Sequence, residues 1–165
     1  MGHSPTFDKT RVQNKYNPSY NAATTATGGQ TMATEFEVFI PGSGKELLGA
    51  ISILADHGVN LNTIATTRNG GGYSVKFITG DEEKTRQTFI KADLPFKERK
   101  VLVMEVYNRP GQWVRAATLL IDAGVTFEGS YLLGQSGDML RFVFAVSNFE
   151  MAKKVACQFT ECSMD

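Results

Sequence analysis

The chain carries one hydrophobic pattern twice. Leu47, Leu48, Ile51, Leu54 and Ala55 recur sixty-six positions later as Trp113, Val114, Ala117, Leu120 and Ile121. Both sets keep the i, i+1, i+4, i+7, i+8 spacing of one apolar helix face. Each is followed by Gly-Val, at Gly58 and Val59 and at Gly124 and Val125, where the glycine suits the left-handed position just past a helix end. A fixed offset of this kind marks a duplicated supersecondary unit, so one fold has to satisfy both halves.

The remainder of each copy agrees. Residues 61–67 and 127–133 read as strands ending in turn chemistry, Asn69-Gly70-Gly71-Gly72 and Gln135-Ser136-Gly137-Asp138. The chain returns through alternating apolar residues, Tyr73, Val75 and Phe77 in one copy and Leu140, Phe142 and Phe144 in the other. Their offset has grown by one residue inside the turn, where an insertion is tolerated. Second helices are expected over residues 81–91, where Asp81, Glu82 and Glu83 complement the macrodipole, and over residues 149–159, with Asn148 as N-cap. Strands at residues 36–40 and 101–107 open the copies, and residues 95–100, nearly continuous with the second, supply a fourth strand to the first. The order is βαββαβ, an α+β arrangement. Copy two runs out after its second helix: only residues 160–165 follow, so its sheet edge is left open or covered by another segment.

Three segments result: a leader at 1–34, one unit at 35–100 and a second at 101–165. Units this small stand near the lower limit of an independent core and are expected to share one or to dimerise. The leader is rich in Ser, Thr, Asn, Ala and Gly, sets Lys9, Arg11 and Lys15 against Asp8, and has no apolar period, which reads as flexible. Within it Gly28-Gly29-Gln30-Thr31-Met32 reads as an artificial junction, with Met32 as the original start. No run suits a signal peptide or a membrane span, so a soluble, cytoplasmic protein with no membrane partner is expected. Seventeen basic and seventeen acidic residues give a net charge of zero, and without the leader the balance turns slightly acidic, against a nucleic-acid partner. Cys157 and Cys162 have no Cys or His partners at zinc-site spacing and read as idle or buried thiols; no metal and no cofactor is implied.

The chemistry concentrates where copy two passes from strand to helix, at Asn108-Arg109-Pro110-Gly111. A turn with Pro110 and Gly111 feeds a helix whose unpaired N–H groups, around Gln112 and Trp113, can receive a carboxylate. Gly111 permits close approach to the backbone. Asn108 offers a donor and an acceptor from one amide, as a zwitterion requires, and Arg109 stands at the rim. The same four residues also make a good structural turn without any ligand, and Trp113, first in the apolar stripe, suits core or interface packing better than a ligand wall. In copy one, Gly42-Ser43-Gly44-Lys45 echoes a phosphate loop, but Phe39 stands where its leading glycine belongs and Glu46 where its magnesium-binding hydroxyl belongs. No nucleophile elbow or acid–base pair is present, so catalysis is not expected.

Asn-Arg-Pro-Gly followed by Trp113-Val114-Arg115-Ala116-Ala117, then Ala123-Gly124-Val125 and the strand at 126–133, resembles the ACT domain, the βαββαβ amino-acid-binding regulatory module of phosphoglycerate dehydrogenase and other metabolic enzymes. The resemblance covers residues 35–159 as a tandem pair and is closer in copy two. It implies two ferredoxin-like units, antiparallel sheets with helices on one face, and a non-catalytic regulatory protein that holds a small amino acid at a domain or subunit interface. A homodimer and a metabolic enzyme partner go with that reading. In serine-binding members the asparagine of this signature and a polar residue opening the second strand contact the ligand across a subunit interface, corresponding here to Asn108 and Thr126. Asparagine is common at the second position, so Thr126 is a departure that speaks against serine. Asn60 opens the equivalent strand of copy one, making a composite of Asn108 and Asn60 a second arrangement. The competing class is an interaction module for a metabolic enzyme, its pocket vestigial.

Overall fold

The computed structural model describes residues 30–161. The elements run β1 (Gln30–Pro41), α1 (Gly44–Asp56), β2 (Leu61–Asn69), β3 (Gly72–Thr79), α2 (Glu82–Lys91), β4 (Lys97–Tyr107), α3 (Gln112–Asp122), β5 (Phe127–Ser136), β6 (Met139–Val146) and α4 (Phe149–Glu161). This is βαββα twice, as the repeat requires.

The six strands form one antiparallel sheet in the order β2-β3-β1-β4-β6-β5. Each copy borrows its fourth strand from the other. The first half of β4 lies beside β1 and closes copy one, and the first half of β1 lies beside β4 and closes copy two, through the register Gln30↔Met104 to Glu37↔Lys97. Thr34 faces Lys100 in that register, and these two residues are separated by the repeat offset, so the local twofold relating the copies passes between them. The missing edge strand of copy two is therefore β1, which starts at Gln30 and not at Phe36. Thr34, placed in the leader by its polar composition, is only 2% exposed. The signal was absent because this stretch is held by backbone pairing, with the apolar residues supplied by β4 opposite. Residues 1–29 and 162–165 lie outside the described part, and with them most of the leader reading and Cys162.

Even-numbered residues of β1 and β4 share the face that carries the helices. Phe36, Val38 and Ile40 pack with Ala50, Leu54, Val59, Phe77 and Phe89 in one core, and Leu102, Met104 and Val106 pack with Ala116, Ala117, Leu120 and Ala152 in the other. The apolar stripe read on the helices is broader than the face that is buried. Leu48 is 71% exposed, Val114 58% and Ile121 57%, because residues at i and i+1 lie about 100° apart and the sheet covers a narrower arc, centred on Leu54 and on Leu120. Small side chains at Ala50, Ala116 and Ala117 are buried in that arc and bring the helix axes close to the strands. Both first helices end as expected at left-handed glycines, Gly58 at φ 66° and Gly124 at φ 74°. Val59 N–H donates to Leu54 O at 2.8 Å and Val125 N–H to Leu120 O at 2.9 Å, the paired closure that seals a helix C-terminus.

The opposite face is concave. Ile78, Val101, Val103, Val143 and Ala145 form a third cluster there, with Tyr131 and Leu133 against it. The sheet curls far enough for its outermost strands to meet, Thr63 Oγ1 on β2 donating to Leu132 O on β5 at 3.0 Å. At the centre Glu35 is 1% exposed and accepts from Arg99 Nε at 2.7 Å and from the Tyr131 hydroxyl at 2.6 Å; Arg99 also pairs with Glu128. Burial, and then the Glu35 carboxylate beside it, push the Tyr131 phenol well above its ordinary pKa, which keeps it a donor. A carboxylate this deep survives because both of its oxygens have partners.

Pairing of residues 30–34 with β4 should therefore be needed for stability. A chain beginning at Glu35 is expected to melt several degrees below one beginning at Gly29, as followed by circular dichroism; equal midpoints would show that the shared strand contributes nothing to copy two.

Candidate functional site

β4 ends at Tyr107, and the chain enters α3 through Asn108-Arg109-Pro110-Gly111. Asn108 N–H donates to Asp138 O at 2.7 Å, tying the loop to the β5–β6 hairpin; Arg109 N–H donates to Tyr107 O at 2.8 Å, and Gln112 N–H to Arg109 O at 3.3 Å. Gly111 is the N-cap and lies at φ 82°, ψ −10°, a conformation that costs other residues about 1–2 kcal/mol. Having no side chain, it leaves the first-turn amides of α3 without a side-chain cap, and the first turn contains no acidic residue. The space where a Cβ of Gly111 would stand is empty to 4 Å. Residues 108–111 are exposed, and the Arg109 guanidinium lies 5.2 Å from the centre of the Tyr107 ring. The loop thus presents the positive end of a helix uncompensated, beside an amide and a guanidinium.

Copy one builds the same loop and fills it. Gly42 N–H donates to Gly71 O at 2.9 Å, the counterpart of the bond between Asn108 and Asp138. Ser43 then caps α1, accepting at Oγ from Lys45 N–H at 3.2 Å, while the Glu46 carboxylate accepts from Ser43 N–H at 2.8 Å and from the Ser43 hydroxyl. Hydrogen bonds from the Ser43 side chain, then from backbone amides, hold Glu46 below the usual carboxylate range. The sequence that echoed a phosphate loop is a capping box, and its own carboxylate occupies the helix end.

The other residues singled out from the sequence lie apart from the loop in a single chain. Thr126 is at the far end of α3, exchanging bonds with Ser147: Thr126 N–H to Ser147 Oγ at 3.2 Å and Ser147 N–H to Thr126 O at 2.8 Å. The eleven residues of α3 put it roughly 16 Å from Gly111 at 1.5 Å per residue. Asn60 O accepts from Gly80 N–H at 3.3 Å. It stands beside the Leu61↔Thr79 pair, near the level of Lys100, and the strand rise up to Asn108 separates the two by roughly 25 Å. Trp113, 37% exposed, stacks on Phe144 at 6.2 Å, meets Phe127 edge-on at 6.1 Å and donates from Nε1 to Ser130 Oγ at 3.2 Å, so its ring packs on its own unit. Asp138 is the neighbour that the sequence reading left out; the turn alignment that matches it to Gly71 contained the signal. Among the described residues no group of His, Cys, Asp and Glu is placed to hold a metal ion, and no helix is long and apolar enough to cross a membrane.

No protein-family model matches the chain, and no curated protein matches it in sequence. Solved structures do. A protein from Bacteroides thetaiotaomicron superposes with a TM-score of 0.70 at 19% identity, over 76% of this chain and 87% of that one. The ligand-free regulatory subunit of aspartate kinase from Thermus thermophilus superposes with a TM-score of 0.58 at 11% identity, over 86% and 100%. The regulatory subunit of aspartate kinase from Thermus flavus gives 0.53 at 12%, over 81% and 98%. The fold is the one expected for a tandem pair of ACT domains. Two ferredoxin-like units with helices on one face of antiparallel strands are what the sequence led one to expect, and the two units here merge their strands into one sheet.

The contrast between the two loops is open to test by titration. Because the Glu46 pKa is lowered in the fold, its contribution to stability is present above the ordinary carboxylate range and is lost as pH falls through the lowered value. Glu46→Gln is expected to lower the thermal midpoint at neutral pH, with the gap from the parent closing in acid. A gap independent of pH would separate the capping effect from the charge.

Proposed function

We propose that the chain is a non-catalytic regulatory module that binds a small amino acid at the loop 108–111, the ligand carboxylate lying against the N-terminus of α3 and its polar groups read by Asn108, with Arg109, Pro110, Gln112 and Trp113 around it. One observation carries this reading: of two loops built alike, copy one closes its helix end with Ser43 and Glu46 while copy two leaves it bare, with open space over Gly111. A bare helix end attracts an anion. That two superposable proteins are regulatory subunits of aspartate kinase supports a regulatory role and a metabolic enzyme as partner.

The distance of Thr126 and Asn60 from Asn108 favours a site completed across a twofold, with one of them coming from a second chain. A homodimer is the assembly this needs, and sedimentation at micromolar concentration should find it; a monomer would remove the intersubunit form of the site.

At about one hundred times its dissociation constant a ligand stabilises the native state by roughly 2.7 kcal/mol, several degrees in midpoint for a chain this size. At least one of the twenty amino acids is expected to do so. Asn108→Ala should weaken its binding by roughly 1.5–3 kcal/mol, the value of hydrogen bonds to a charged group, with the fold intact. Calorimetry that detects no amino acid at millimolar concentration would end this reading in favour of an interaction module.

A further inference from the structure

The backbone bond that joins loop to hairpin is made in both copies, but what surrounds it differs. In copy one it links Gly42 to Gly71, at φ 102° and 85°, and neither residue projects a functional group. In copy two it links Asn108 to Asp138 at 2.7 Å. Two residues opposed across such a bond in an antiparallel ladder have their Cα atoms roughly 5.5 Å apart. An amide and a carboxylate therefore stand together where the repeat otherwise places bare backbone. Both residues are exposed, and the side chains of Asn108 and Asp138 make no hydrogen bond or ion pair among the described residues. Arg109 follows directly, its guanidinium over the Tyr107 ring. Glu46 in copy one engages its carboxylate at the helix end of its own unit; Asp138 belongs to the β5–β6 hairpin on one side of Asn108, whereas Arg109 and the first turn of α3 follow Asn108 on the other.

A cationic side and an anionic side flanking one amide match the two ends of a zwitterion. We propose that Asp138 accepts the ammonium group of the ligand and is the residue by which the site selects α-amino acids over the α-hydroxy acids of the same side chain. This rests on the loop 108–111 being the ligand site. A charge-assisted hydrogen bond to an ammonium has no equivalent for a hydroxyl, so a site built for the ammonium rejects the hydroxy acid, whereas a site that read only the carboxylate would take both.

The test uses the full chain and matched pairs in calorimetry: L-alanine with L-lactate, L-aspartate with L-malate, L-phenylalanine with L-phenyllactate. For the pair whose amino acid binds, the parent should prefer it by about tenfold or more, and Asp138→Asn should remove that preference by weakening the amino acid while leaving the hydroxy acid unchanged. The substitution lies on an exposed turn, and an unchanged thermal midpoint would show that the fold is retained. Binding that is lost in Asn108→Ala but keeps its full preference in Asp138→Asn overturns the assignment of Asp138 and leaves the site. Absence of binding by any of the twenty amino acids overturns the site, and this assignment with it.

Discussion

Everything in the molecule hangs on the pairing of β1 with β4. Neither copy owns the four strands that a βαββαβ unit requires, and each obtains the fourth by lying alongside the first strand of the other. That arrangement fixes the twofold, places all four helices on one side and forces the other side to curl. The curl in turn buries Glu35, on a strand shared by both copies, and obliges it to find Arg99 and Tyr131. A chain with two separate sheets would have left two more strand edges exposed to pairing with other molecules.

The repeat was the legible part. Periodicity located the first helix of each copy, an acidic first turn and an N-cap located the second, and turn chemistry located both hairpins, since Gly58 and Gly124 or Asn69-Gly70-Gly71 act within a few residues of themselves. What periodicity missed was non-local. The stretch before Glu35 is polar, and nothing near it in sequence announces that Val101 to Met104 wait opposite. The breadth of the helix stripe was misjudged for a related reason: Leu48 and Val114 satisfy the spacing, but how much of a helix is covered depends on the curvature of the sheet beneath. At the loop, Asn108 and Gly111 stood out by residue type, whereas Asp138 drew notice only as a turn residue, and the backbone bond to Asn108 is what brings it to the loop.

Duplication followed by divergence leaves a controlled comparison inside a single chain. The same turn, the same backbone bond and the same helix start occur twice, and the copies differ in what neutralises the helix end. Copy one keeps a serine and a glutamate there and is electrostatically complete. Copy two holds glycine at the cap, which forgoes only a few tenths of a kcal/mol relative to serine, and has no side-chain cap.

The exchanged strand also dictates an order of events as the polypeptide is made. β1 emerges first, yet its partners on β4, running from Lys97 to Met104, appear only after all of α1, β2, β3 and α2. Until then copy one can form its hairpin and pack α1, but Phe36, which lies opposite Glu98 in the finished sheet, sits on a strand with one edge unsatisfied. Bringing such distant segments together carries the entropy of a long loop, which places this step late and makes it slow. Once taken, it commits both halves together, so the two copies are expected to gain and lose structure as a single cooperative unit in spite of their separate cores.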